Sequence, residues 1–218
     1  MNLVRKTPVR ILLPMLLAAL PLHGQEKAAA KADKPKAEAS KSAAKKPSEE
    51  EMMRAWQAYA TPGDPHKVLV KGAGSWTTKT KSWMDPKKPQ PEESDGTSEV
   101  SSMLGDRYIS EKFTGKMTGQ PFEGFGVTGY DNKLKQYQTF WVDSMGTGML
   151  MMKGPADKSG KVITQTGTMV DPSSANGSVK VKGVTTLEDD DHRRFEMWMT
   201  GPDGKQFKTL EVSYARKR

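Results

Sequence analysis

Asp143 and Ser144 close a strand-like run that also holds Tyr137 and Trp141. Alternation along a strand puts Tyr137, Trp141 and Asp143 on one face. An acid flanked by two aromatic rings can accept a hydrogen bond from a ligand that stacks against them. The same Asp-Ser pair at the start of a Gly-rich turn commonly bonds backbone amides instead, and that is the favoured reading here. Glu111 and Glu123 offer carboxylates for acid–base work. Such work needs a defined separation between the two groups, and each glutamate falls in an alternating polar register consistent with exposure. Met145, Met149, Met151, Met152 and Met169 cluster along the chain, with Met197 and Met199 further on. Flexible thioethers suit adaptable apolar pockets and also Cu(I). One Met149-x-x-Met152 spacing is thin support for copper, so a core or cavity wall is the better reading.

The remaining metal-type side chains are sparse. His23, His66 and His192 are the histidines, and His192 follows the acidic run Asp189–Asp191. Hard cations need six to eight oxygens from a shaped loop, which three adjacent aspartates do not supply. No metal site is expected. Cysteine is absent, which excludes disulfides, thiolate ligands and a cysteine nucleophile.

Charge is informative once divided by region. The chain of 218 residues carries a formal +8. Residues 1–24 contribute +3 and residues 25–48 a further +4, leaving +1 for residues 49–218. A nucleic-acid module carries its excess on a folded face, so no nucleic-acid partner is expected. Arg5, Lys6 and Arg10 precede an apolar run from Ile11 to Leu22, the pattern of a signal peptide cleaved near Gly24–Gln25. It is too short to span a bilayer, which takes about 20 apolar residues, and no other stretch is apolar enough for a membrane span. Export to a bacterial periplasm is expected, with a eukaryotic secretory route as the alternative. Residues 25–48 are nearly all Ala, Lys, Pro, Glu and Ser, a composition that cannot offset the entropy of ordering. They read as a disordered tether, able at most to make weak contact with anionic envelope polymers.

Ser48 then caps a short helix with Glu51 completing a capping box. Met52, Met53, Trp56 and Tyr59 follow at helical spacing, and Thr61-Pro62-Gly63-Asp64-Pro65 ends it. Residues 49–66 form this helix and a lead-in, expected to cover a barrel end by core packing. From Val68 onward the pattern is β, giving a domain over residues 67–218. Strands are expected near 74–84, 96–104, 107–117, 120–130, 135–143, 147–153, 161–170, 178–188, 192–200 and 206–215. Asn, Asp, Gly and Pro clusters punctuate them. With no helical crossovers, the ten strands form an antiparallel meander, and closure into a barrel removes its edges. A two-sheet sandwich is the alternative. The glycines from Gly119 to Gly129 are expected to be bend points.

Two resemblances follow. Gly74-Ser75-Trp76 on the first strand, with Arg216 after the last, resembles the barrel-closing corner of lipocalins and other calycins. That likeness implies an indole sealing one end beneath a cation. A broader set comprises Ala73-Gly74-Ser75-Trp76, Gly119-Gln120-Pro121-Phe122-Glu123-Gly124-Phe125-Gly126 and Gly129-Tyr130-Asp131-Asn132. It continues with Trp141-x-Asp143-Ser144-Met145-x-Thr147-Gly148 and Gly201-Pro202-Asp203-Gly204-Lys205. In order and spacing it resembles the bacterial domain-of-unknown-function family 1579, from Val68 to Lys217. The resemblance implies a β-barrel-like domain and brings no reaction, cofactor or catalytic residue. Barrels of the nitrobindin type bind haem through a histidine near the C-terminal end. His192 is the sole counterpart, its charged flank reads as a solvated turn, and no cofactor is expected.

The function read from this sequence is a non-enzymatic exported barrel holding a small apolar ligand. Phe125, Tyr137, Trp141, Asp143, Met149 and Met151 are the expected ligand contacts, and Gly74, Trp76 and Arg216 the closing corner. A structural or interaction module of the cell envelope is the alternative. A hydrolase using Asp143 or the glutamates ranks third, and no catalytic residue is assigned.

Overall fold

The computed structural model describes residues 46–83, 89–201 and 203–218. The expected signal segment and nearly all of the tether lie outside these residues. Two helices, α1 (Glu49–Ala60) and α2 (Asp64–Lys71), precede ten strands. These are β1 (Gly74–Ser82), β2 (Glu92–Met103), β3 (Tyr108–Met117), β4 (Gln120–Asp131), β5 (Gln136–Asp143), β6 (Leu150–Gly154), β7 (Val162–Val170), β8 (Ser178–Leu187), β9 (His192–Thr200) and β10 (Gln206–Arg216). Each strand pairs antiparallel with the next, and β10 returns to β1 from Trp76↔Arg216 to Ser82↔Leu210. The sheet is a closed barrel, so its edges are gone.

Helix α1 starts as its sequence requires. Ser48 Oγ accepts from the Glu51 amide at 3.2 Å, and Glu51 Oε2 accepts from the Ser48 amide at 2.7 Å. Its role differs from the expected cover, because α1 buries none of its residues. Met53 and Trp56 stay 70% and 68% exposed. The helix is held instead at its C-terminal carbonyls, which lack intrahelical partners. Asn132 Nδ2 donates to Tyr59 O at 3.0 Å and Thr61 O at 2.8 Å, and Arg107 donates to Ala60 O at 2.9 Å.

The packing helix is α2, which takes in Val68–Lys71, expected to lead into strand. Pro62 follows the α1 C-cap Thr61, where a helix cannot continue, whereas Pro65 suits the first turn of a new helix, where its missing N–H is no loss. Its buried face carries His66 and Leu69 and meets β3 and β4. The His66 ring meets Tyr130 edge-on at 5.7 Å. The Tyr137 hydroxyl donates to Pro65 O at 3.4 Å. One barrel end is thereby plugged.

Register fixes the inner face. Trp76, Val100, Ile109, Phe113, Phe122, Tyr137, Ile163, Val212 and Tyr214 belong to one buried cluster with Leu69. Threonine shares that face in β1, where Thr78, Thr80 and Ser82 are all buried. This explains why β1 lacks a clear apolar stripe in its sequence.

Candidate ligand-binding site

The two ends of the barrel differ in how completely their inward side chains are covered. At the α2 end, Trp76, Ile109 and Tyr137 are 2%, 7% and 2% exposed. At the opposite end, the outermost inward side chains of β6 to β10 are only part-buried, although Val181 and Met152 behind them are 3% and 5% exposed. Leu150, Met169, Val179, Met199 and Phe207 ring this opening, with Trp141 paired to Leu150 and Met197 one position deeper than Met199. The pairs Met169↔Val179, Val181↔Met199 and Phe207↔Met199 place them on adjacent strands. Apolar inner walls that stay part-exposed describe an open mouth.

Deeper in, the inner face also carries part-exposed polar groups. The Thr128 and Thr139 hydroxyls lie 3.0 Å apart, and Thr139 donates to Gln165 Oε1 at 3.0 Å. Glu111 is inward as well, since it pairs with Gly126 between Ile109 and Phe113. Its carboxylate accepts from Ser98 Oγ at 2.6 Å and from Arg193 at 3.2 Å. Arg193 stacks over Tyr214 at 4.2 Å and Trp76 at 4.9 Å. Burial pushes the Tyr214 phenol well above its ordinary value, and the Glu111 charge adds to this while Arg193 opposes it. A buried pair of this kind is costly unless its hydrogen bonds are completed.

Of the expected ligand contacts, the structure brings Tyr137, Trp141 and Asp143 to the inner face and puts the other three outside. Tyr137 belongs to the plug, packed 5.0 Å from Tyr130. Trp141 lies across Gly124 and Gly126, where an added Cβ would strike its ring. Asp143 is committed to local bonds, as the turn reading holds: Oδ2 accepts from the Trp141 indole N–H at 3.0 Å and Oδ1 from the Met145 amide at 2.9 Å. Phe125 and Met151 are 41% and 58% exposed on the outer register, opposite Gly124 and Met152. Met149 precedes β6 and is 67% exposed. The reason is parity: these residues sit one position out of phase with the inner face. Phe125 instead lines a shallow outer groove of about 300 Å³ with Lys112, Glu123, Gly124, Val142, Asp143 and Ser144.

Parity also separates the two glutamates, because Glu123 pairs with Thr114 on the outer register while Glu111 faces in. They cannot act as a dyad through the barrel wall. Met149 and Met152 diverge in the same way, one exposed and the other 5% exposed. His192 lies on the outer face opposite Ala215 and bonds Asp189 at 3.0 Å. Asp191 engages Arg216 at 3.4 Å and Arg218 at 3.0 Å. Among the described residues no group of three or more His, Asp or Glu could hold a metal ion. No described helix is long and apolar enough to cross a membrane.

The corner residues meet at the plugged end. Arg216 lies 4.3 Å over the Trp76 ring and donates to Lys71 O at 2.8 Å and Ala73 O at 2.7 Å. Gly74 has φ +131°, and a Cβ there would sit 2.7 Å from Arg216 Nη1. Glu111, expected from its polar register to be exposed, is instead an interior charge, and so is Arg193, for which the sequence reading offers no role. Their signal was present: each is in phase with apolar neighbours, Ile109-x-Glu111-x-Phe113 and Arg193-x-Phe195-x-Met197.

Comparison with known proteins agrees with this architecture. A family model described as "Protein of unknown function (DUF1579)" matches residues 61–216. No curated protein matches the chain in sequence. Among solved structures, Rv2717c from M. tuberculosis is similar with a TM-score of 0.52 at 13% identity, over 72% of this chain and 100% of that one. The S-type phycobiliprotein lyase CPES from Guillardia theta gives 0.48 at 12%, over 75% and 97%. A redesigned barrel, mFAP0, bound to DFHBI, gives 0.37 at 13%, over 68% and 99%. At 13% identity the likeness to Rv2717c speaks to fold alone, and the two lower scores add nothing to it.

Proposed function

This chain belongs to the DUF1579 family, and from that premise we propose that its barrel is a container for a small, largely apolar ligand, exported to the periplasm and not enzymatic. One observation carries the reading. The α2 end is plugged and buried, while the other end presents part-exposed Leu150, Met169, Met199 and Phe207 on the inner register. Apolar walls with a few polar groups are how protein cavities bind small molecules. Methionine suits a wall that must adapt to its occupant. The Glu111–Arg193 pair and the Thr128–Thr139–Gln165 chain supply the few polar groups. Export rests on the basic-then-apolar N-terminus.

Two measurements test the proposal. Native mass spectrometry of protein purified from its own periplasm should show a bound small molecule. The uncharged dye N-phenyl-1-naphthylamine should brighten on binding, and Met197→Trp, which narrows the interior, should abolish that response. A native mass equal to the bare polypeptide together with a silent dye would overturn the container.

A second reading, an interaction module of the envelope, has one observation in its favour. Helix α1 leaves Met53 and Trp56 exposed, directly after a lysine-rich segment. Capture of anionic envelope polymers that disappears on deleting residues 25–48 would support it.

A further inference from the structure

The plugged end carries apolar side chains that face water on well-bonded backbone, independently of anything the barrel holds. Met52, Met53, Trp56 and Tyr59 recur at helical spacing along α1, and all four are exposed. The hydrogen bonds that tie this helix to the barrel lie at its C-terminal turn, from Ala58 to Thr61. They come from the β2–β3 and β4–β5 turns, and each of these turns presents a leucine. Leu104 is 71% exposed and Leu134 58%. Neither is a loose tip. Arg107 donates to Leu104 O at 3.0 Å with the same guanidinium that holds Ala60 O, and Asp131 Oδ1 accepts from the Leu134 amide at 2.8 Å. Leu104 also has φ +50°, a left-handed conformation that Gly or Asn adopts at lower cost. A leucine there serves neither the turn nor the core.

Charge indicates what covers this flank. Lys133 and Lys135 stand on either side of Leu134, both exposed. Seven lysines between residues 25 and 48 precede α1 in the sequence. Glu49, Glu50 and Glu51 occupy the first turn of α1, where the helix dipole offsets them, and Glu50 is paired with Arg54. The acidic run Glu188–Asp191 belongs to the β8–β9 turn, across the closed strand order from β3 and β4. A protein partner favours one contiguous patch of anchors, whereas separate apolar tips set among cations suit a bilayer interface with anionic headgroups. We propose that α1 and the β2–β3 and β4–β5 turns form a peripheral docking surface for an anionic lipid bilayer. Met53, Trp56, Leu104 and Leu134 enter the boundary between headgroups and acyl chains, and Lys133, Lys135 and the lysines ahead of α1 lie against the headgroups. Docking by this end leaves the open mouth, at the other end of the barrel, directed away from the lipid.

Flotation of the mature chain, from Gln25 onward, with vesicles of phosphatidylcholine and phosphatidylglycerol in equal parts tests this surface against vesicles of phosphatidylcholine alone. The anionic vesicles should bind about tenfold more tightly or better, and salt at about 0.5 M should remove most of that difference. Leu104→Asn combined with Leu134→Asn should weaken binding to the anionic vesicles about tenfold, and Trp56→Ser should do the same. Lys133→Ala combined with Lys135→Ala should cost about tenfold on anionic vesicles and nothing on neutral ones. These side chains are exposed, so thermal unfolding should stay unchanged and separate a lost surface from a lost fold. Equal binding to both vesicle types, binding to neither, or variants that bind like the parent chain would overturn the proposal. So would a concentration-dependent dimer that the same substitutions dissolve, because the flank would then be an interface between copies.

Discussion

The Trp141 ring lies so close to Gly126 that a Cβ on this glycine would sit 2.7 Å from indole Cε3. Gly124 is in the same position further along the ring. These two inward glycines are therefore space for an aromatic side chain on the neighbouring strand. Gly126→Val must push Trp141 off its seat or spread β4 from β5, an overpacking that costs about 1–3 kcal/mol. Denaturant unfolding should report that loss, with a changed near-ultraviolet circular dichroism spectrum. Unaltered stability and spectrum would show that the ring moves freely.

The closing corner makes a second prediction. Arg216 covers Trp76 and bonds three carbonyls, those of Lys71, Ala73 and Asp190. Arg216→Ala orphans the carbonyls at the α2–β1 junction and removes the nearer of the two cations over the indole, leaving Arg193 at 4.9 Å. A loss of about 2–4 kcal/mol is expected from the combined hydrogen bonds and cation–π contact. Arg216→Lys should recover only part of it, because an ammonium cannot span the same carbonyls in a fixed fork. Full recovery of wild-type stability by Arg216→Lys would show that charge alone matters.

The barrel was legible because turn residues divide the chain into ten alternating segments and no helix interrupts them. The strands came out close to expectation: β3, for instance, runs Tyr108–Met117 against an expected 107–117. Helix α2 is hard to read from sequence because the single breaker run Thr61–Pro65 both closes one helix and opens another. The site was less legible. Composition groups Phe125, Met149 and Met151 with Trp141 as an apolar set, but only register decides which side of the wall each occupies. Glu111 and Arg193 show the converse, since being in phase with apolar neighbours reveals which charges point inward.

Asp143 distinguishes a structural acid from a catalytic one. Both oxygens are engaged, one by Trp141 and the other by the Met145 amide. Asp143→Ala should free the β5–β6 turn and the Trp141 indole, costing about 1–3 kcal/mol for charge-assisted bonds. Dye binding should weaken as Trp141 loses its fixed orientation, and tryptophan fluorescence should shift. A hydrolytic activity of the wild-type chain that vanishes in Asp143→Ala at unchanged stability would restore the third, enzymatic reading.

Alkaline pH probes the plug. Burial first, and the neighbouring Tyr130 second, push the Tyr137 phenol up to about 12. The ionised form is the one disfavoured in the folded chain, so between the unfolded value near 10 and about 12 the folded state binds more protons. Stability is therefore full below about pH 10 and falls as pH rises through this window. A shift of this size corresponds to about 2–3 kcal/mol. Tyr214, raised by burial and then by the Glu111 charge, acts in the same direction. Tyr137→Phe removes the titrating hydroxyl and its bond to Pro65 O, so it should lower stability at neutral pH yet flatten the alkaline decline. Unfolding free energies from pH 8 to 12 compare the two chains, and parallel curves would mean that Tyr137 ionises as freely in the barrel as in the unfolded chain.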